Sequence, residues 1–207
     1  QTLGVYMAIV GRNRNNVLVG APDVSASGGL TIGLPVTEES QIPLTATATI
    51  DVALAHDSAG FISEDGITKT VDRSTEKIKD WNGDTVIITQ SDHSVTLQFT
   101  FMEAANAAVL KAVYGEDNVI ISGDDYTIID TADELPHISL DALIKGNAST
   151  KIRVFAPDAQ ITEVGDVNFV RSGVIQYQVT AECFDFENKK LVTSIERDEP
   201  VEPDPEP

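Results

Sequence analysis

Cysteine is almost absent from this sequence. Its 207 residues include only Cys183, so no disulfide can form within the chain. A disulfide-stapled extracellular scaffold is therefore excluded, and a reducing cytosol fits the composition. The most apolar early stretch, Leu3 to Val10, falls far short of the roughly 20 residues that a membrane-spanning helix needs. No Lys or Arg precedes it, as a secretory signal would require. The chain opens on Gln1, so we expect that an initiator Met or a longer leader was removed or omitted.

Positive charge is also scarce. The chain has 14 Lys and Arg residues against 33 Asp and Glu residues, a formal net charge of −19. Such a chain is repelled by phosphate, which excludes a protein that grips nucleic acid through counterion release. The same repulsion argues against docking on an anionic membrane. The last twelve residues carry a net charge of −5, so −14 remains on the rest of the chain and the excess is not only a tail effect.

Signals of catalysis or metal binding are weak. Cys183 could pair with His93 or His137 as nucleophile and base, but a small hydrophobic residue on the apolar face of a strand is the favoured interpretation. His56 and the other two histidines lack the spacing of metal ligands. We therefore predict no enzyme, no catalytic residue and no cofactor.

One segment begins like a calcium-binding loop, with Asp80, Asn82 and Asp84 in alternation. The pattern then fails, because Thr85 replaces the required Gly and Ser91 stands where the bidentate Glu belongs. We therefore predict no dedicated metal site.

What the sequence does contain is strand periodicity. Apolar and polar residues alternate strictly in Ser94–Phe101 and again in Gln176–Cys183, which predicts strands with one buried face. Further strands are predicted in four segments: Ile138–Ile144, Lys151–Phe155, and the short apolar runs Val86–Ile88 and Val119–Ile121, which we interpret as more buried. Ser91-Asp92 is interpreted as a turn between the Val86 and Ser94 strands.

One helix interrupts the strands. Thr100–Glu103 fits a capping box, apolar residues at helical spacing follow, and Gly115 ends the run, which predicts a helix near 103–114. Lys111 suits the negative end of the helix dipole. The predicted fold is mainly β with one helix: an antiparallel β-sandwich or partial barrel with a flanking helix, an extended N-terminal arm and a long loop.

The chain divides into three regions by composition. Gly11 to Ile50 is rich in small and polar residues, so residues 1–59 are predicted to be an arm and extended loop that adds little core. Residues 60–195 form the predicted β domain, and residues 196–207 an acidic, Pro-rich tail. Asp72–Asp84 is a second polar stretch, interpreted as a loop. Such segments suit an assembly protein whose arms and strand edges order on neighbours, although plain disorder is an open alternative.

Two segments of the chain resemble a known protein family. Gly60–Ile67 and Asp72–Trp81 look like the hallmark stretch of the major tail tube proteins of long-tailed, non-contractile bacteriophages. The run from Ser63 to Trp81 carries most of the resemblance. Supporting stretches extend it from Val17 to Thr193: Val17–Gly20, Ser27–Leu30, Ser94–Thr100, Val113–Gly115, Ile161–Asp166 and Tyr177–Thr180. The leader before Asn16 and the acidic end are not part of the shared pattern, and the chain is too short for the extra C-terminal domain of some relatives.

The resemblance implies a structural virion protein, made in the host bacterial cytoplasm. It implies hexameric rings whose strands join into a barrel around a lumen, stacked head to tail into a tube through which DNA passes during ejection without specific binding. Tape measure and tail tip or terminator proteins are the implied partners, with no membrane. The acid excess would then repel DNA from the lumen wall. A tail-completion or secretion-tube relative, and a capsid-decoration or adhesin-like domain, stay as alternatives.

The predicted inter-subunit residues come mainly from one polar segment that also holds Trp81, the only tryptophan. A buried aromatic anchor ringed by charges is the usual composition of an interface hot spot. We therefore predict that this loop reaches the adjacent ring, with Trp81 as anchor and Arg73, Glu76 and Lys77 fixing the register. The alternative is that Trp81 folds back as a core plug. The candidates are Glu64, Asp65, Asp72, Arg73, Glu76, Lys77, Ile78 and Trp81.

Overall fold

The computed structural model describes residues 16–23, 29–147 and 149–197. This part of the chain forms eleven strands and one α-helix. The helix is α1 (Ala107–Tyr114). The strands are β1 (Gly20–Pro22), β2 (Leu30–Gly33), β3 (Asp57–Ser58), β4 (Thr68–Lys79), β5 (Thr85–Phe101), β6 (Val119–Ser122), β7 (Asp125–Ile128), β8 (His137–Gly146), β9 (Thr150–Val164), β10 (Tyr177–Cys183) and β11 (Val192–Arg197).

Nine of the strands form one antiparallel sheet. Its order is β3-β2-β8-β9-β10-β5-β4, with β1 paired to β8 and β11 paired to β9, and it does not close into a barrel. Strands β6 and β7 form a separate hairpin. The mainly β class with a flanking helix is thus confirmed. No helix among the described residues is both long enough and apolar enough to cross a membrane.

The main core forms where the predicted alternating strands pair. Val95, Leu97, Phe99 and Phe101 of β5 are buried, as the period-two pattern predicts. Alternate residues of β10, from Tyr177 to Cys183, are buried beside them. Helix α1 covers the same core with Val109, Leu110, Ala112 and Val113. One face of this part of the sheet is therefore buried, while the other keeps its polar residues.

The helix starts later than the capping-box pattern predicts. Thr100 and Phe101 continue β5, because Phe101 is fully buried and pairs with Tyr177. The helix begins at Ala107 instead, with Asn106 as its N-cap. Gly115 ends the helix as predicted, at φ 94°, with its N–H donating to the Lys111 carbonyl.

The expectation that Gly11–Ile50 adds little core is wrong for its second half. All four residues of β2 are buried, and Val36 and Ile42 pack with Leu54 and Phe155 in a second cluster. This part of the chain adds core because β2 extends the sheet beside β8, and Val36 and Ile42 pack on Phe155 of β9. Residues 1–15, 24–28 and 198–207, which hold the leader, part of the arm and most of the acidic tail, lie outside the described residues. The division into 1–59, 60–195 and 196–207 stays a prediction.

The predicted loop Asp72–Asp84 is mostly strand. β4 and β5 form one long hairpin, and Ser91-Asp92 lies inside β5 rather than in a turn. Val86–Ile88 and Val119–Ile121 are strand residues as predicted, but all except Val119 are exposed. Periodicity cannot show whether other parts of the chain cover an apolar run. The prediction that these two runs are buried was therefore wrong for all residues except Val119.

Candidate inter-subunit surface

The hairpin of β4 and β5 projects from the sheet. All twelve residues of β4 are exposed, and so are residues 85–90 of β5. Near its base the hairpin is tied to the body by Lys190, whose Nζ donates to the His93 carbonyl at 2.5 Å. A two-stranded ribbon exposed on both faces is marginal in water, so this element is suited to packing against something else.

A bulge divides the hairpin into a proximal and a distal part. Ser74 pairs with Asp92, and Thr75 pairs with Gln90, so Ser91 is an extra residue on β5. A bulge of this kind bends the ribbon and increases its twist. Ser91-Asp92, which the sequence suggested as a turn, therefore bends the hairpin and does not end β5.

The two faces of the hairpin differ in charge. Cross-strand partners lie on the same face of a sheet and neighbours along a strand alternate. On β4 the alternation places every basic residue on the face that continues into the core: Lys69, Arg73, Lys77 and Lys79. The opposite face carries Asp72 and Glu76 on β4 and Asp92 on β5. We call the face that carries Asp72, Glu76 and Asp92 the cation-free face.

The cation-free face extends across the sheet beyond the hairpin. Register places Thr96 and Gln98 of β5 beside Glu182 and Thr180 of β10, and Thr180 beside Glu163 of β9. Side chains on this side are Thr, Ser, Gln, Asp or Glu from Thr68 to Glu76, with no Lys or Arg among these described positions. The chain thus presents a broad hydroxyl and carboxylate surface on the side of the sheet opposite to its core.

The tip of the hairpin is a closed turn that displays Trp81. The Asp80 Oδ1 accepts hydrogen bonds from the backbone N–H groups of Asn82, at 3.0 Å, and Asp84, at 2.8 Å. Gly83 has φ 91°, a conformation that favours glycine. Asp80, the first residue of the calcium-like pattern, therefore uses one carboxylate oxygen to hold the turn. Trp81 is fully exposed, at 102% of its reference area, so the core-plug alternative is wrong for this chain on its own.

A groove lies at the other end of the hairpin. The segment Phe61–Ile67 leads directly into β4 and is tied to the end of β5: Ser63 N donates to the Thr100 carbonyl at 3.0 Å, and Met102 N to the Phe61 carbonyl at 2.9 Å. Between this segment and the strands β1, β2 and β8 is a cavity of about 440 Å³. Its apolar lining includes Pro22, Leu30, Phe61, Ile67, Leu143 and Ile144, and its ionisable residues are Glu64 and Asp65. We call it the base groove.

The predicted interface residues fall into two groups. Glu64 and Asp65 lie exposed at the base groove, whereas the others lie along the hairpin. Ile78 is half-exposed and pairs with Ile87, so the distal hairpin also displays apolar surface that the sequence prediction did not include: Val86, Ile87 and Ile88. The apolar lining of the base groove was missed too, because its residues come from four separate segments.

The candidate catalytic groups are not arranged for catalysis. Cys183 is fully buried, as predicted, and burial raises the pKa of its thiol to about 12. A thiol in this setting is neutral at physiological pH and is a poor nucleophile. His137 Nδ1 is held 2.6 Å from Asp158 Oδ1, an ordinary surface pair.

A polar cluster lies between the sheet and the arm segment that follows β2. Asp141 and Arg153 form an ion pair of 3.1 Å, and Arg153 also donates to the carbonyls of Thr45 and Ala48. Arg153 thereby fastens the arm segment that crosses this side of the sheet. The His56 ring nitrogens lie 2.8 Å from Thr31 Oγ1 and 2.9 Å from Ser139 Oγ. Burial lowers the pKa of His56 to about 4, and Arg153 acts in the same direction.

Comparison with known proteins gives a family for this arrangement. No curated protein matches the chain. A solved cryo-EM structure, the tube-terminating cap of the anti-feeding prophage, is similar over 94% of this chain and 99% of its own, with 9% identity and a TM-score of 0.39. The family model described as phage tail tube protein matches residues 12–205. The chain therefore belongs to the phage tail tube protein family, and it is a structural protein of the virion tail.

Proposed function

We propose that this chain polymerises as stacked hexameric rings that form the tail tube of a long-tailed, non-contractile phage, and that the bore of the tube conducts DNA into the host. The observation that carries the proposal is the cation-free face, which covers four neighbouring strands on the side opposite to the core. Family membership supports self-assembly into a tube.

Ring closure uses the open edge of the sheet. β4 is the last strand of the nine-stranded sheet in the described part of the chain, and its outer edge offers unpaired backbone groups. Joining such edges from subunit to subunit removes a surface that would otherwise aggregate. Six copies joined in this way form a closed ring, and the head-to-tail contact between rings then extends the tube without limit.

The cation-free face lines the bore. Asp72, Asp92, Glu163 and Glu182 place carboxylates toward DNA, and no ammonium or guanidinium group of this face can bind a phosphate. Phosphate backbones are repelled from such a wall, so DNA passes without binding to it. The four basic residues of β4 lie on the opposite face, away from the bore.

The distal hairpin reaches the adjacent ring. Trp81 is the anchor, and Arg73, Glu76 and Lys77 fix the register by charge pairing. Tape measure and tail tip or terminator proteins are the further partners within the virion. No metal, cofactor or membrane takes part in this function.

Thiol mapping of assembled tubes tests the orientation of the sheet. In a Cys183→Ala background, Gln98→Cys places a thiol in the middle of the cation-free face, where Gln98 is exposed. Asp124→Cys is the matched control, since it lies exposed between β6 and β7, just beyond the helix that covers the core face. Each variant is treated, as monomer and as tube, with a small maleimide and with a maleimide on a polymer too wide for the bore.

The expected result is selective protection. Both thiols should react with both reagents in the monomer, whereas in tubes Gln98→Cys should react only with the small reagent and Asp124→Cys with both. Reaction of Gln98→Cys with the wide reagent in intact tubes would place the cation-free face outside and overturn the assignment.

A further inference from the structure

We propose that the base groove is the receptor for the hairpin tip of a second copy of this chain, so that Trp81 of one subunit inserts between Phe61 and Ile67 of the subunit in the next ring. This inference rests on the proposed function, because it specifies the contact by which one ring holds the next.

The hairpin tip presents a large apolar side chain that the described part of its own chain does not cover. Trp81 is fully exposed, although a tryptophan gains roughly 150–250 Å² of buried surface when it packs. The turn that carries it is held by Asp80 and Gly83, so the indole is presented on a closed backbone. Ile78, Ile87 and Ile88 surround the tip with further exposed apolar surface.

The base groove has the properties of a receptor. Its volume of about 440 Å³ is enough for an indole with neighbouring side chains, and Leu30 and Pro22 supply part of its apolar lining. Phe61, which lines one side, is 69% exposed in the single chain. A large apolar side chain entering this groove would cover both Phe61 and itself.

Charge favours this occupant. The ionisable residues among the groove lining are Glu64 and Asp65, both exposed and acidic. The distal hairpin carries Lys77 and Lys79 close to the tip, in a chain whose net charge is −19. These lysines can pair with the two carboxylates at the rim while the indole occupies the groove, the arrangement of apolar centre and polar rim that interfaces use.

Position along the strands makes the contact head to tail. The base groove is next to Thr68, where β4 begins, and the tip follows Lys79, where β4 ends. Twelve residues of strand separate the two sites by roughly 40 Å at about 3.3 Å per residue. The tip cannot reach its own groove, and two complementary patches at opposite ends of one molecule generate an open stack rather than a closed dimer.

Intrinsic fluorescence tests the burial of Trp81 without any substitution, because it is the only tryptophan of the chain. On assembly the emission should shift to shorter wavelength, and quenching by acrylamide should fall several-fold. Ile67→Ser should reverse this protection in the assembled fraction, whereas Ile120→Ser, at an exposed residue of β6, should leave it unchanged.

Disulfide cross-linking tests the identity of the neighbour. In a Cys183→Ala background, the double variant Lys79→Cys, Glu64→Cys should give, on oxidation of tubes, a ladder of chains extending well beyond six on a non-reducing gel. Lys79→Cys with Asp124→Cys is the control and should give no ladder. Oxidation of the monomer should not cross-link Lys79→Cys to Glu64→Cys within one chain, since these positions lie at opposite ends of β4, too far apart for a disulfide.

The outcomes separate the two proposals. Tubes in which Trp81 stays as quenchable as in the monomer, or cross-links that stop at one ring, would overturn the groove contact and leave the tube in place. Failure of the wild-type chain to form tubes under any condition would overturn both. A blue-shifted Trp81 with long ladders supports the groove contact.

Discussion

Asp141, Arg153 and His56 show how individual residues hold the arm segment on the sheet. Burial raises the pKa of Asp141 to about 6, and the guanidinium of Arg153 opposes that shift. Burial lowers the pKa of His56, whose neutral ring is kept between Thr31 and Ser139. A buried ion pair adds little stability by itself, but removing one partner leaves an uncompensated charge, so this cluster fixes the segment above it.

We expect His56→Gln to change how stability depends on pH. The folded pKa of His56, about 4, is below its unfolded value of 6.5, so the unfolded chain takes up the proton first as pH falls. The wild-type chain should therefore gain stability relative to the variant as pH rises from about 4 to 6.5, by up to roughly 3 kcal/mol, and no more above that. Urea unfolding across this range measures it. Parallel curves for the two proteins would contradict a partly buried histidine that is neutral in the folded chain.

We expect Cys183→Ala to leave the fold and assembly intact. Cys183 is a small core residue, and truncations of this size cost on the order of 1 kcal/mol. Urea unfolding of the monomer and electron microscopy of the assembled variant check both statements. Loss of tubes from a variant with normal stability would show that the thiol has a role beyond packing.

At the scale of the elements, the sequence predicted those strands whose alternation reflects burial. β5 from Val95 onward and β10 were found because one face of each is in the core. β4 was interpreted as a loop because it is polar and exposed on both faces, which leaves no apolar period to detect. Its charge alternation becomes visible only when the register with β5 is known.

The start of the helix was missed because a local pattern was overridden by a long-range one. The Thr100–Glu103 capping box is present in the sequence, but pairing with β10 keeps Thr100 extended. Glu103 instead accepts a hydrogen bond from the Phe61 N–H at 3.2 Å, which helps to shape the base groove segment. The base groove could not be predicted either, because Phe61 and Leu143 line it from distant parts of the sequence and no local pattern relates them.

We expect Asn106→Ala to destabilise the chain by about 1 kcal/mol, the usual cost of losing an N-cap. The Asn106 Oδ1 accepts from the N–H groups of Ala108, at 3.0 Å, and Val109, at 3.4 Å. Thermal and urea unfolding measure the loss, with Asn82→Ala at the exposed turn as the control that should be neutral. Equal stability of the two variants would argue against the cap.

We expect Trp81→Ala to give a folded monomer that does not elongate. The exposed indole contributes little to the stability of the single chain, so its melting temperature should be unchanged. Loss of such an anchor costs roughly 2–4 kcal/mol per contact between subunits. Phe169→Ala, at another exposed aromatic residue outside the hairpin, is the control and should form normal tubes. If Trp81→Ala forms normal tubes, Trp81 is not an anchor between rings.

In the whole described molecule, the clearest separation of acidic from basic side chains is between the two faces of the β4–β5 hairpin. The chain has a net charge of −19, yet β4 collects four of the 14 Lys and Arg residues on one face. A tube built from this chain can therefore keep carboxylates toward DNA and use its few cations for contacts between subunits. The family resemblance together with the acidic composition predicted the first use, whereas the second depends on strand register.

A cryo-EM map of tubes assembled from the purified chain shows directly which face of the sheet lines the bore and where the hairpin lies. We expect six-fold rings in which Asp72 and Asp92 face the bore, while the distal hairpin crosses into the next ring. A bore lined by Arg73, Lys77 and Lys79, or a hairpin folded along the outside of its own ring, would contradict it.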